Sequence, residues 1–353
     1  MRPDEHWLQR ADAAAKRRFP NEGVTIELLP PHGSLRRYAR VVAPSDTLML
    51  MLLPDAADVP PDAGTAHPED VRDEPFIAVA NWLEAAKVPA PRVLDFDQQL
   101  RTIWISDLGD TTFFHAVEAN TRPRDEAYRD ALRLLHRFQQ ASLHPAKPPI
   151  VNCRALDEAL LHWELEHYVD WRLQRKLQVT LSADDRAALD RAFDWLAPTL
   201  AALPQITVHR DFQSHNVMQT SDGALALLDF QDALHGPVPY DAVALLRDSY
   251  IELSKEELQS LVEHWAAITC ESTPTLGLRQ DELIRAFHLQ TVQRKLKDTG
   301  RFELFDLQKG QPEYLKFQPA SVRYVRSALA ALQDVEELQG LHEVLLRHEP
   351  LYR

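Results

Sequence analysis

His209-Arg210-Asp211-Phe212-Gln213-Ser214-His215-Asn216, then Val217 to Gln219, Ser221-Asp222-Gly223-Ala224, Leu225 to Leu228 and Asp229-Phe230-Gln231-Asp232, is the stretch from which the fold can be read. Asp-Gly between two apolar runs is a strong hairpin signal. A turn centred on Asp222-Gly223 pairs residues whose numbers sum to 445, which predicts Asn216 directly opposite Asp229. Cross-strand partners have Cβ atoms roughly 4.5–5.5 Å apart, so an amide oxygen and a carboxylate would converge at one end of the hairpin. Two such oxygens suit Mg²⁺, which takes one or two protein groups and completes its shell with water and phosphate. Asp211 lies five residues before Asn216, on the loop entering the hairpin. A carboxylate beside a divalent cation stays ionised and can accept the proton of a hydroxyl nucleophile. Together the three form a phosphoryl-transfer constellation, with Asp211 orienting the acceptor and Asn216 and Asp229 holding magnesium on the nucleotide phosphates. Singly, each residue reads as a turn former or helix cap. The spacing H-x-D-x-x-x-x-N with Asp-Phe thirteen residues later, after an apolar strand, is far more specific.

Before this core, Val24 to Leu29, Leu35 to Ala43 and Thr47 to Leu53 are short apolar or alternating segments separated by Pro, Gly and Asp, as in an antiparallel meander. A polar, proline-rich stretch (Pro54 to Asp73) precedes a helical pattern over Glu74 to Ala86, and strands are expected at Arg92 to Phe96 and Thr102 to Ile105. From Thr121 onward the pattern is helical: Arg124 to Ser142, Ala155 to Gln178, Ala183 to Leu203, Tyr240 to Leu253, Lys255 to Ile268, Asp281 to Lys297 and Ser321 to Leu346. Ser182 is a candidate cap for the third of these. Ile206 to Val208 and Val217 to Phe230 interrupt them as strands.

Composition narrows the function. A net charge of −14 argues against a nucleic-acid partner, whose phosphates need a basic face. The longest clean apolar run, Leu48 to Leu53, is far short of the roughly 20 residues that span a bilayer, so no membrane insertion is expected. Asp4, Glu5 and Asp12 fall where a secretory signal would be apolar, which predicts a cytoplasmic protein. Cys153 and Cys270 are the only cysteines, too few for a disulfide framework. The ten glycines are too dispersed for either common phosphate loop, and neither H-E-x-x-H nor G-x-S-x-G occurs.

The segment from His209 to Asp241 resembles the catalytic core of the aminoglycoside phosphotransferase family, a branch of the protein-kinase-like fold. Within it the chain is most similar to the group of N-acetylmuramate/N-acetylglucosamine anomeric kinases of bacterial cell-wall recycling. The finer similarity rests on Gly33-Ser34-Leu35-Arg36-Arg37-Tyr38, Ile105-Ser106-Asp107-Leu108-Gly109-Asp110, Asp229-Phe230-Gln231-Asp232-Ala233 with Gly236-Pro237 and Tyr240-Asp241, and Arg294 to Phe302. The resemblance implies a bilobal α+β fold: a small antiparallel β-sheet amino-terminal lobe, residues 1–106, and a larger, mainly helical carboxy-terminal lobe, residues 107–353. It implies ATP and Mg²⁺ as cofactors, Asp211 as catalytic residue and Asn216 and Asp229 as metal ligands. Main-chain groups of Ser106 and Leu108 would meet the adenine edge, and Gly33 to Arg36, with Ser34 and Arg36, would cover the nucleotide. Asp241 would brace the catalytic loop, and His209 would be a packed loop histidine.

One departure matters. The third strand, Thr47 to Leu53, has no lysine, where kinases of this fold place the phosphate-gripping one. Arg36 and Arg40 share a face of the second strand while Arg37 points the other way. Arg40, and after it Arg36, is therefore expected to grip the phosphates, with Glu74 as a partner; the alternative is a solvated strand edge. Gln290, Arg294, Lys297 and Arg301 fall on one helical face, either toward an anionic ligand or as a solvated surface. The acceptor expected from the resemblance is an amino sugar, with Arg294 on the carboxylate of N-acetylmuramate. An aminoglycoside or other metabolite kinase, and a nucleotide-binding pseudokinase, are the alternatives.

Overall fold

The computed structural model describes residues 3–30, 35–54, 74–142 and 148–353. Gly33, Ser34 and nearly all of the proline-rich stretch after Pro54 lie outside the described residues. Helix α1 (Pro3–Arg18) precedes strands β1 (Thr25–Leu28), β2 (Arg37–Val42) and β3 (Thr47–Leu52), helix α2 (Pro75–Ala85), and strands β4 (Val93–Asp97) and β5 (Thr102–Ser106). The strands form one antiparallel sheet in the order β1-β2-β3-β5-β4. Alternation along β2 and β3 gives the sheet two apolar faces. Ala39, Val41, Leu48, Leu50 and Leu52 pack under Ala11, Ala14 and Ala15 of α1, while Met51, Ile103 and Ile105 join a second core shared with the helices. Arg10 of α1 pins that cover by donating to the carbonyls of Leu53, Leu100 and Arg101 at 2.9–3.0 Å.

The remainder is helical: α3 (Phe113–Glu118), α4 (Arg124–Ala141), α5 (Pro149–Asn152), α6 (Glu158–His167), α7 (Ala183–Ala201), then strands β6 (Gln205–Val208), β7 (Val217–Gln219), β8 (Leu225–Leu227) and β9 (Leu234–Pro237), and helices α8 (Tyr240–Leu246), α9 (Lys255–Ser272), α10 (Gln280–Lys309), α11 (Gln318–Ala331) and α12 (Gln339–His348). The molecule is thus bilobal and α+β. Ser182 does cap α7, its Oγ accepting from Asp185 N at 3.0 Å. Among the described residues, no helix is long and apolar enough to cross a membrane.

Four sequence expectations are corrected. The Asp222-Gly223 turn is a three-residue loop: Thr220 N donates to Ala224 O, Gly223 N donates to Thr220 O, and Gly223 takes φ +84°, the left-handed conformation such loops require. The register therefore sums to 444, Val217 facing Leu227, which sets Leu228 rather than Asp229 opposite Asn216. The helix expected over Tyr240 to Leu253 stops at Leu246, because the chain beyond it turns to let Asp248 accept from Ser214 N and Tyr250 N. The one expected over Ser321 to Leu346 breaks after Ala331. The one over Ala155 to Gln178 begins at Glu158 and widens from Tyr168 to Lys176 into a π-helix, its last turn closed by Leu177 N donating to Arg172 O.

That widened segment packs on Gly300 of α10. A Cβ there would meet the His167 carbonyl and lie 2.7 Å from the Tyr168 nitrogen. Alanine normally gains up to about 1 kcal/mol over glycine inside a helix, whereas overpacking costs about 1–3 kcal/mol. Gly300→Ala is therefore expected to lower the thermal midpoint, against helix propensity. A midpoint equal to or above that of the parent chain would show that α10 and the π-helix can part.

Candidate active site

The loop that carries Asp211 runs from the end of β6 to the start of β7 and is held at both ends by buried carboxylates. Asp241, at the start of α8, accepts from His209 N at 2.6 Å and Arg210 N at 3.1 Å. Burial pushes its carboxyl up to about 6, against the opposing pull of His209 and the two N–H donors. Asp248 accepts from Ser214 N at 2.8 Å, and burial raises it too. His209 is packed, its Nε2 2.8 Å from Leu228 O and its ring against Phe138 and Phe212. Between the anchors Arg210 takes φ +75°, a strained value for a side chain of this size, which aims the following residue into the cleft.

That residue is Asp211, its side chain 53% exposed. Beneath it lies Arg294 of α10, 1% exposed: Nη1 donates to Arg210 O at 2.7 Å, Nη2 stands 3.4 Å from Asp211 Oδ1, and the guanidinium lies over the Tyr240 ring. Desolvation by the surrounding protein works to raise Asp211, but Arg294, Lys297, Arg210 and Arg301 outweigh it and hold the carboxyl down to about 2. The expected stripe on α10 is thus neither a solvated face nor open to ligand along its length. Gln290, Arg294 and Lys297 are buried, Lys297 donating to Tyr240 Oη at 3.2 Å, and only Arg301 is exposed. The contact expected between Arg294 and an acceptor carboxylate is replaced by its grip on the catalytic loop.

Asn216 ends a tight turn begun at Ser214, and its Nδ2 donates to Asp211 O at 2.9 Å, which turns its amide oxygen outward. Asp229 follows β8 in the left-handed region, φ +56°, which brings its carboxylate to the same end of the hairpin although the register does not. Gln231 Nε2 donates to Asp229 Oδ1 at 2.9 Å. Burial pushes Asp229 up, assisted by the Asp211 carboxylate and opposed by Gln231 and Arg36. An amide oxygen and a carboxylate with no sulfur or imidazole between them are a hard donor pair, which fits magnesium.

On the sheet side, Arg36 Nη1 lies 3.7 Å from Asp229 Oδ1. Arg40, instead of meeting Glu74, donates through Nε to Asp107 Oδ2 at 2.6 Å and reaches Asp110 Oδ1 at 2.7 Å, joining β2 to the segment after β5. Arg37 turns to the other face and pairs with Asp4 of α1, as the alternation predicts. Ser106 N donates to Arg92 O at 3.0 Å, so an adenine at this segment would meet the Ser106 carbonyl rather than its amide. The sequence did not single out Asp298, which pairs with Lys295 on α10, Tyr250, whose ring meets His215, or Tyr314, which lies against Phe302 and Phe305. Asp298 was within reach, because it falls four residues after Arg294 on the same helical face; Tyr250 and Tyr314 carry no such signal.

Known proteins resemble the chain at both levels. A model of the phosphotransferase enzyme family (APH) matches residues 26–279. The N-acetylmuramate/N-acetylglucosamine kinase of Pseudomonas aeruginosa is 34% identical over 318 residues, 89% of this chain and 87% of the relative. Among solved structures, the GDP complex of aminoglycoside 2'-phosphotransferase-IIIa superposes with a TM-score of 0.58 at 14% identity, covering 92% of this chain and 99% of that one. Choline kinase LicA from Streptococcus pneumoniae does so with 0.52 at 11%, covering 94% and 100%. These two likenesses establish the protein-kinase-like fold and nothing narrower.

Proposed function

We propose, from the premise that the chain belongs to the phosphotransferase enzyme family and is a small-molecule kinase, that it moves the γ-phosphate of ATP to the anomeric hydroxyl of N-acetylmuramate or N-acetylglucosamine, in the cytoplasmic recycling of cell-wall sugars. The observation that carries this reading is the placement of Asp211, its side chain half exposed beside Asn216 and above the Arg294 guanidinium. A carboxylate held by a cation is a weak base, and it works best by orienting a hydroxyl that gives up its proton readily. The anomeric hydroxyl is more acidic than the other hydroxyls of a sugar. The name of the Pseudomonas aeruginosa relative points to the same acceptors.

In the step, the C1 oxygen attacks the γ-phosphorus and the bond from that phosphorus to the β,γ-bridging oxygen breaks. ADP leaves with that oxygen, and the hydroxyl proton passes by way of Asp211 to water. Asn216 and Asp229 would hold magnesium, which when bound neutralises phosphate charge. Arg36, beside Asp229, would meet the phosphates, while Arg40 holds Asp107 and Asp110. The segment Ser106 to Leu108 would meet the adenine and form the boundary between lobes of residues 1–106 and 107–353.

A coupled ADP assay over a panel of amino sugars and aminoglycosides, with ³¹P spectra of the product, tests the reading. A sugar 1-phosphate is expected. Phosphate on a 3- or 6-hydroxyl, or turnover of aminoglycosides alone, would overturn the acceptor and leave the kinase standing.

A further inference from the structure

Past Asp211, the cleft is lined by side chains that the transfer step does not use. The Tyr250 ring meets His215 edge-on at 4.5 Å between centroids and Phe317 at 4.6 Å, so rings continue outward from the residue next to Asn216. Each of the three is half-buried and shows part of its surface. From Phe317 the rings continue through Phe302, 6.2 Å away between centroids, to Tyr314, which lies 6.4 Å from Phe302 and 5.1 Å from Phe305. Arg301, exposed, follows Arg294 by seven residues along α10 and is therefore on the same face. Its charge reaches Asp211, and its guanidinium lies 5.9 Å from the centre of the Phe305 ring. Among the described residues no carboxylate pairs with it. In a chain of net charge −14, such an arginine is open to an anionic ligand.

We propose that this ring-lined surface is the acceptor subsite: Tyr250 and Phe317 take the apolar C–H face of a pyranose, Tyr314 takes a hydroxyl, and Arg301 takes an anionic arm of the sugar. The inference rests on the kinase reading above and deepens it by locating the discrimination between an acidic and a neutral hexosamine. Rings carry sugars because stacked C–H groups leave water while the hydroxyls at the edge stay hydrogen-bonded. A planar guanidinium binds a carboxylate through two parallel N–H donors, which a neutral sugar cannot use.

The test is the ratio of kcat/KM for N-acetylmuramate to that for N-acetylglucosamine, measured with MgATP in the full chain. Arg301→Gln is expected to lower that ratio about tenfold, mainly through the KM of the acidic sugar, and Arg301→Lys to restore part of it. Tyr250→Phe keeps the ring and should bind both sugars, whereas Tyr250→Ala should raise both KM values. If the parent chain turns over both sugars and the ratio survives Arg301→Gln, or if Tyr250→Ala keeps its KM values while remaining folded, the subsite is overturned and the kinase reading stands. If the parent chain turns over neither sugar, the reading and the subsite fall together.

Discussion

Asp211→Asn is expected to lower kcat by at least about 10²-fold, the scale of lost general-base and orienting effects, with nucleotide affinity little changed. The amide keeps the shape of the carboxyl and loses the charge that orients the acceptor. It also removes one of the ionised neighbours of Arg294, while Asp298 remains. Arg294 nevertheless retains the Arg210 carbonyl at 2.7 Å and the Tyr240 ring, so the variant should stay folded. Initial rates with the preferred sugar, beside a nucleotide titration by fluorescence or calorimetry, decide the matter. Near-parental turnover would remove Asp211 from the chemistry.

Asp229→Ala should abolish the stabilisation that MgATP gives the parent chain. A ligand at a hundred times its Kd contributes about 2.7 kcal/mol, enough to read as a thermal shift. Asp229 sits at φ +56°, where alanine is strained by about 1–2 kcal/mol while asparagine is tolerated. Asp229→Asn therefore separates loss of the carboxylate from backbone strain. An undiminished MgATP shift in both variants would take Asp229 out of the metal site.

The local structure of the stretch around Asp211 was legible to within one residue of register, because a turn signal and an apolar alternation mark it beside three oxygen-bearing side chains at fixed spacing. The strands of the small sheet were legible for the same reason, with Pro, Gly and Asp marking their ends to within a residue or two. What escaped was set by partners distant in sequence. Helix α10 runs from Gln280 to Lys309, beyond the Lys297 expected for its end, because Lys295 and Lys297 are buried against Asp298 and Tyr240 and blur the apolar period. The widening of the chain at Tyr168 answers to Gly300, more than a hundred residues away. The same applies to the two left-handed residues of the site. The sequence did not mark Arg210 or Asp229 for a positive φ, yet that conformation brings Asp229 to the Asn216 end of the hairpin despite a register one residue from the expected one.

Arg294 and Arg301 ride on one uninterrupted helix, two turns apart, so the anchor of the Asp211 loop and the exposed arginine stand about 10 Å apart along the axis, at roughly 1.5 Å of rise per residue. A continuous helix of this kind is a ruler: it stretches little and cannot be adjusted by rotating a loop. Lengthening it by one residue between the two arginines would swing Arg301 about 100° around the axis, whereas substitutions along its exposed side leave the gauge intact. The proposed subsite should therefore tolerate substitutions on the outer face of α10 better than a change in how many residues it counts.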